Sequence, residues 1–217
     1  GRDRTVVYNP EVGRPARAAR GRVEDAGGLS TVLALAEALD VRQRGTAEHS
    51  RTVARYSEAI ARQLGIGEEK IERVRIGGLL HDVGKVGVPE ALLSKPGLLT
   101  ETDWPEIRRH PEVGAQIIQN SGLGDVAEWV RAHHERPDGG GYPAGLRGEE
   151  VPLEARILSV ADAFEAMTSD RAHRLAMSHE LARAELEAGV GRQWDERVVH
   201  ALEAVLDQGG LAVSSRR

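Results

Sequence analysis

The stretch GLLHDVGKVGVPEALLSKPG, residues 78–97, decides how the rest of the chain is read. Its first residues close an apolar helical segment, and Gly84, Gly87 and Pro89 then break the chain into a loop. At the junction stand His81 and Asp82, with Lys85 three residues further on. Polar groups at a position patterned for burial need partners, because an uncompensated buried charge costs several kcal/mol. The polar residues able to share that position lie in other segments: His49, His110, His133, His134 and Asp162.

The pattern is helical on both sides of this junction. Upstream, Ile71, Val74 and Leu79 recur at helical spacing over 68–81. Val53, Ile60 and Leu64 do the same over 47–64, where Gly65 supplies a stop. Ser30 can cap a segment through Arg42 that carries Leu33, Ala36 and Leu39. Downstream, Thr100 and Asp103 resemble a capping box opening a helix to Asn120. Residues 124–136 form another helix, ending at His133-His134-Glu135. The Gly/Pro-dense loop PDGGGYPAGLRGEEVP (137–152) follows, and such loops inside a compact domain usually carry function. Helices over 153–169, from Ser178 to Ala188 and from Asp195 to Gln208 complete the chain. The expected fold class is all-α, a bundle of about seven to eight helices.

Residues 1–8 contain a strand-like run, TVVY, and 9–28 read as an Arg/Gly/Pro-rich linker. The helical domain is expected over 29–208, with a flexible tail at 209–217. A strand with no partner strand in the chain, at a chain that opens on Gly1, reads as severed from an upstream domain.

Composition narrows the function classes. The chain has 217 residues, 40% hydrophobic and 29% charged, as expected for a soluble globular protein. Aromatic residues make up only 3%, which favours helix over strand. A net charge of −5 argues against a DNA or RNA polymer as partner, while a small anionic ligand needs only a few local cations. There is no cysteine, so any metal must be held by His and carboxylates. No apolar run of about 18 residues exists to cross a membrane, and no secretory signal is visible. A cytoplasmic location is expected.

Five of the eight histidines, His49, His81, His110, His133 and His134, lie in helices or at their ends beside apolar positions. His173, His179 and His200 read as surface residues. Each of the five taken alone is either a hydrogen-bonded structural histidine or a ligand. Together, imidazole and carboxylate without thiolate suit Fe, Mn, Zn or Ni. Asp82 has two oxygens and can bridge two ions about 3.5–4 Å apart. Asp162 sits in the apolar run SVADAFEAM, a poor place for an idle charge. Lys85 is either a phosphate contact or a solvated loop lysine. Arg171 and Arg174 are either a phosphate clamp or surface arginines. The glycines of the 138–143 loop serve either a turn or a close backbone approach to a ligand.

With these residues in place, the set H49…HDVGK(81–85)…H110…HHE(133–135)…DGGGYP(138–143)…D162…R171 resembles the HD-GYP family of HD-superfamily phosphohydrolases. The resemblance runs from about Leu29 to Leu206 and includes KPGLLT and ARILSVADAFEAMTSDR in order. It implies an HD-superfamily helical bundle that degrades cyclic di-GMP, with iron or manganese as the usual metals. It implies that one ion takes His49, His81, Asp82 and Asp162, and a second His110, His133 and His134, with Asp82 bridging. Lys85, Arg171 and Arg174 match the family's phosphate-contacting positions, and Gly141, Tyr142 and Pro143 its signature loop. Some members carry a glutamate one helical turn before the first histidine and hold a third metal. Gly45 stands there in this chain, so two ions are expected. Pro137 stands where the family commonly has Trp. The opening GRDRTVVY is similar to the closing strand of a GGDEF domain, which implies such a domain upstream. A GGDEF protein that docks on the GYP loop is a further implied partner.

The reaction expected is hydrolysis of cyclic di-GMP to linear pGpG, with GMP left open as a further product, by a hydroxide held between two ions, with Asp82 and Lys85 as the central residues. Two alternatives stand beside it. One is a catalytically weak module that binds a cyclic dinucleotide or a protein partner. The other is a phosphohydrolase for another cyclic dinucleotide.

Overall fold

The computed structural model describes residues 17–44, 48–95, 97, 99–170 and 175–209. The segments read as the GGDEF-like strand, the first part of the linker and most of the tail lie outside them, as do Gly45, Arg171, His173 and Arg174. The described chain runs α1 (Arg17–Arg44), α2 (Glu48–Gln63), α3 (Glu68–Leu80), a 3₁₀ turn (Val83–Gly87), α4 (Glu90–Leu93), α5 (Trp104–Ile107), α6 (His110–Gln119), α7 (Gly124–Ala132), a 3₁₀ turn (Gly148–Glu150), α8 (Leu153–Thr168), α9 (His179–Ala188) and α10 (Glu196–Asp207). Eight of these helices have more than one turn, and the described residues hold isolated bridges but no strand. The fold is all-α, as the periodicity predicts.

Helix α8 is the axis of the bundle. Its Ala155, Ile157, Leu158, Val160, Ala161 and Phe164 are fully buried. It packs against α2, α3, α7, α9 and α10. Phe164 meets the Tyr56 ring of α2 edge-on at 5.2 Å, and burying a side chain of that size contributes about 1.5–3 kcal/mol. Asp162 sits within this apolar helix, on a side turned to α2 and α3 rather than to bulk solvent.

Several helix ends follow the local chemistry read from the sequence. Ser178 Oγ accepts from the Leu181 amide at 3.3 Å, and Asp195 Oδ1 from that of Val198 at 3.2 Å. Gly65 closes α2 in the left-handed region, at φ 73°. Three expectations need correction. Helix α1 begins at Arg17, not at Ser30, so that the later part of the predicted linker is helical. Its Ala, Arg and Glu content sustains the helix despite three glycines. Residues 90–93 form one short helix inside the predicted loop. The helix predicted over 100–120 is broken into α5 and α6 at residues 108–109. Pro111 is the reason, since it has no amide to bond the Ile107 carbonyl.

Two contacts bring the polar residues together. Helices α2 and α3 cross with Ala54 against Gly78. The 3₁₀ turn after Asp82 lies on the start of α6, where a Cβ on Gly84 would stand 1.9 Å from the His110 carbonyl oxygen and 2.4 Å from the Gly114 nitrogen. Only glycine permits that approach, so the HD turn and His110 are held backbone to backbone.

Candidate metal centre

His81 is the residue that closes α3, and His133 closes α7. At both ends the carbonyl three residues back has lost its helical partner. His81 Nδ1 bonds the Gly78 oxygen at 2.9 Å, and His133 Nδ1 the Val130 oxygen at 2.6 Å. His110 uses the carbonyl that Pro111 cannot bond: its Nδ1 lies 2.8 Å from the Ile107 oxygen. A carbonyl only accepts, so each Nδ1 carries the proton and each Nε2 keeps its lone pair. Those three Nε2 atoms are buried and have no hydrogen-bond partner.

The five imidazoles form one contiguous cluster. Ring centroids lie 5.2 Å apart for His49 and His81, 5.4 Å for His81 and His133, and 4.0 Å for His133 and His134. His110 lies 5.4 Å from His133 and 5.0 Å from His134. Asp82 stands among them. Its Oδ1 is 3.5 Å from His110 Nε2, while its Oδ2 is 3.5 Å from His81 Nε2 and 3.7 Å from His49 Nε2. Asp162 Oδ1 is 3.6 Å from His49 Nε2 and 3.8 Å from His81 Nε2.

The cluster divides into two groups of donors whose atoms lie within 4.8 Å of one another. One is His110, His133 and His134, and the other includes His49, His81 and Asp82, with Asp162 adjoining His49. Buried nitrogen lone pairs beside carboxylates, without sulfur, suit a borderline divalent ion such as iron, manganese or zinc. The residues present fit that kind of metal.

The electrostatics agree with the division. Burial holds His110 below the ordinary imidazole range, and His133 well below it with His134 and His110 adding repulsion. Burial takes His134 down to about 3. Burial alone would raise Asp82, but the Lys85 ammonium and the His81, His49 and His110 rings hold it well below the carboxylate range. Asp162 is likewise raised by burial and lowered more by His81 and His49. The neutral imidazole and the charged carboxylate are the forms that bind metal.

The other predicted site residues are placed as follows. Lys85 Nζ bonds Asp82 Oδ2 at 2.5 Å. Tyr142 stacks on His134 at 4.8 Å, and burial raises its hydroxyl pKa. A Cβ on Gly141 would stand 2.5 Å from the Arg136 nitrogen, so the loop can only close on His134–Arg136 with glycine there. Pro143 follows Tyr142 through a cis bond and is half-buried. Arg171 and Arg174 fall outside the described residues. His179 and His200 are exposed, away from the cluster.

Three contributors escaped the sequence reading. Glu165 Oε2 lies 2.5 Å from His49 Nδ1, fixing that ring as the carbonyls fix the others. Its signal was its place three residues after Asp162, on the same side of one helix. Buried Glu135, read only as part of HHE, accepts from the amides of Ala144, Gly145 and Leu146 at 2.6, 3.1 and 3.0 Å, and so anchors the 138–147 loop. Asp40 Oδ2 accepts from the Ser50 amide at 2.9 Å and secures the first turn of α2 beside His49.

The profile of the HD domain family matches residues 34–198, most of the chain. The chain belongs to the HD domain family. It is 41% identical over 195 residues to a cyclic di-GMP phosphodiesterase response regulator of Xanthomonas campestris, covering 86% of this chain and 52% of that protein. It is 37% identical over 171 residues to a 3′3′-cGAMP-specific phosphodiesterase of Vibrio cholerae, covering 77% of this chain and 33% of that one. The chain thus spans about half, or less, of the curated relatives it matches. Among solved structures, an HDG"Y"P protein from Bdellovibrio bacteriovorus matches with TM-score 0.58 and 26% identity over 74% of this chain and 52% of that one. A cyclic GMP-AMP specific phosphodiesterase of V. cholerae shares the fold, with TM-score 0.67 and 21% identity over 86% of this chain and 51% of that one.

Proposed function

We propose that this chain is an HD-GYP-type phosphodiesterase domain that hydrolyses a cyclic dinucleotide, with cyclic di-GMP as the first candidate, to the linear dinucleotide. The observation that carries it is the meeting of two donor groups at one carboxylate. Asp82 presents one oxygen to His110 and the other to His49 and His81. In this reading His49, His81, Asp82 and Asp162 hold one divalent ion and His110, His133 and His134 the second, with Asp82 shared and iron or manganese as the metal. Such a pair of ions, when bound, polarises the phosphoryl group and lowers the pKa of water.

The chain's own groups do the rest. The Gly78, Ile107 and Val130 carbonyls and the Glu165 carboxylate hold the protons on Nδ1, so that the Nε2 lone pairs converge. Lys85 sits at the rim of the same carboxylate, where its ammonium can offset charge on a phosphoryl oxygen. The relatives' names support a cyclic dinucleotide as substrate and differ in the bases.

The test is product chromatography with metal-loaded protein on cyclic di-GMP, a mixed cyclic GMP-AMP and linear pGpG. Formation of pGpG from cyclic di-GMP is expected. No product from any of the three, with metal bound, would replace the hydrolase by a binding module.

A further inference from the structure

Arg108 lies two residues before His110, at the turn that Pro111 forces between α5 and α6. It is exposed, and its guanidinium carbon stands 5.3 Å from the centroid of Tyr142 and 5.7 Å from that of Trp104. Tyr142 in turn stacks on His134. A line of stacked planar groups therefore leads from the imidazole cluster outward to a cation. Trp104 itself is 41% exposed, unusual for so large an apolar side chain.

Among the described residues, three other cations of these segments are paired with carboxylates. Lys85 is bonded to Asp82, Arg136 to Asp138 and Arg109 to Glu106. Arg108 has no ion pair among the described residues. Aromatic rings hold a guanidinium through its faces and leave its N–H edge for acceptors. Such an edge matches a phosphodiester, which offers two oxygens in a plane.

A cyclic dinucleotide carries two phosphodiester groups, and only one can be at the metal cluster at a time. We propose that Arg108, held by Tyr142 and Trp104, is the subsite for the second, non-reacting phosphodiester, with the exposed Trp104 ring beside it as a surface for the adjoining base. This rests on the proposed function. It assigns the turn between α5 and α6 to substrate selection: it favours ligands with two phosphodiesters over those with one.

The test compares cyclic di-GMP with bis(p-nitrophenyl) phosphate, a diester with one phosphate, in metal-loaded wild-type and Arg108→Ala protein. The expected result is a fall of about tenfold or more in the ratio of kcat/KM for cyclic di-GMP to that for the model diester, carried by KM. Calorimetric affinity for a phosphorothioate analogue of cyclic di-GMP should fall in parallel, with metal content intact. Arg108→Lys, which keeps the charge but not the planar fork, should recover part of the loss. If wild-type protein hydrolyses cyclic di-GMP and the ratio and the affinity do not change on substitution, Arg108 is not the subsite. If wild-type protein cleaves the model diester and no cyclic dinucleotide, the proposed function itself fails.

Discussion

The two halves of the candidate metal centre are built differently. In the imidazole half, His110 and His133 are each oriented by a backbone carbonyl three residues earlier in the chain. In the carboxylate half, His81 is oriented in that same way by the Gly78 carbonyl, but His49 is oriented by Glu165, a side chain 116 residues away. The first arrangement comes with the end of a helix and needs no second side chain. The second exists only once α2 and α8 have packed. Charge differs too: His110, His133 and His134 offer neutral nitrogens, whereas Asp82, Asp162 and Glu165 bring carboxylates to the other half. A divalent ion is therefore expected to be held more tightly by the carboxylate half, and more dependent there on long-range packing.

Asp82 turns one oxygen toward each half, so its loss is expected to have the largest effect. Asp82→Ala should cut hydrolysis of a model phosphodiester by more than about a hundredfold, beyond the range typical of outer-shell changes. Elemental analysis should show fewer than two ions per chain. A variant that keeps both its metal and its rate would dissolve the idea of a shared carboxylate.

Glu165→Gln separates the halves. It keeps the shape and removes the charge behind His49, so the affinity of the carboxylate half should fall by about ten- to a hundredfold while the imidazole half holds its ion. Dialysis against graded chelator, followed by metal analysis, reads this directly. Equal loss from both sites would mean that the halves are not independent.

The smallest effect concerns the metal-free protein. Burial depresses the pKa of His110, His133 and His134 in the fold, while the unfolded chain takes up protons near pH 6.5. Protonation therefore favours the unfolded state. These residues contribute their full stability above about pH 6.5 and less as the pH falls toward about 3, the value for His134. Asp82 and Asp162 are held below the ordinary carboxylate range, so they add to this loss only in stronger acid. Urea midpoints of chelated protein should drop between pH 7 and pH 5, and His134→Gln should flatten the drop. Identical midpoints at the two pH values would contradict it.

Much of this was legible along the chain. The apolar spacing marked the helices, and Ser178, Asp195 and Gly65 marked three of their ends, because caps act within one turn. The break before His110 was missed although Pro111 was in view: the capping-box pattern at Thr100–Asp103 suggested one continuous helix. In the structure one half of that pattern does form, Asp103 Oδ2 accepting from the Thr100 amide at 2.7 Å and also from its hydroxyl at 2.8 Å, but it closes a turn ahead of α5 rather than opening a helix to Asn120. Glu165 was hidden by its apolar neighbours, and Arg108 by the ordinary look of an arginine in a basic turn. Both act on residues far away in sequence, His49 and Tyr142.

By itself, then, the sequence determined that the chain is helical, where most helices end, and that its buried polar residues are nitrogen and carboxylate donors without sulfur. These are properties of single residues and of spacings within a few turns. The tertiary structure alone decided which donors face one another, that one carboxylate lies between two groups of histidines, and which side chain steadies His49. Those facts depend on how close α2, α3, α6 and α8 approach. Contacts such as Gly84 on the His110 carbonyl set that distance, and no local preference encodes it.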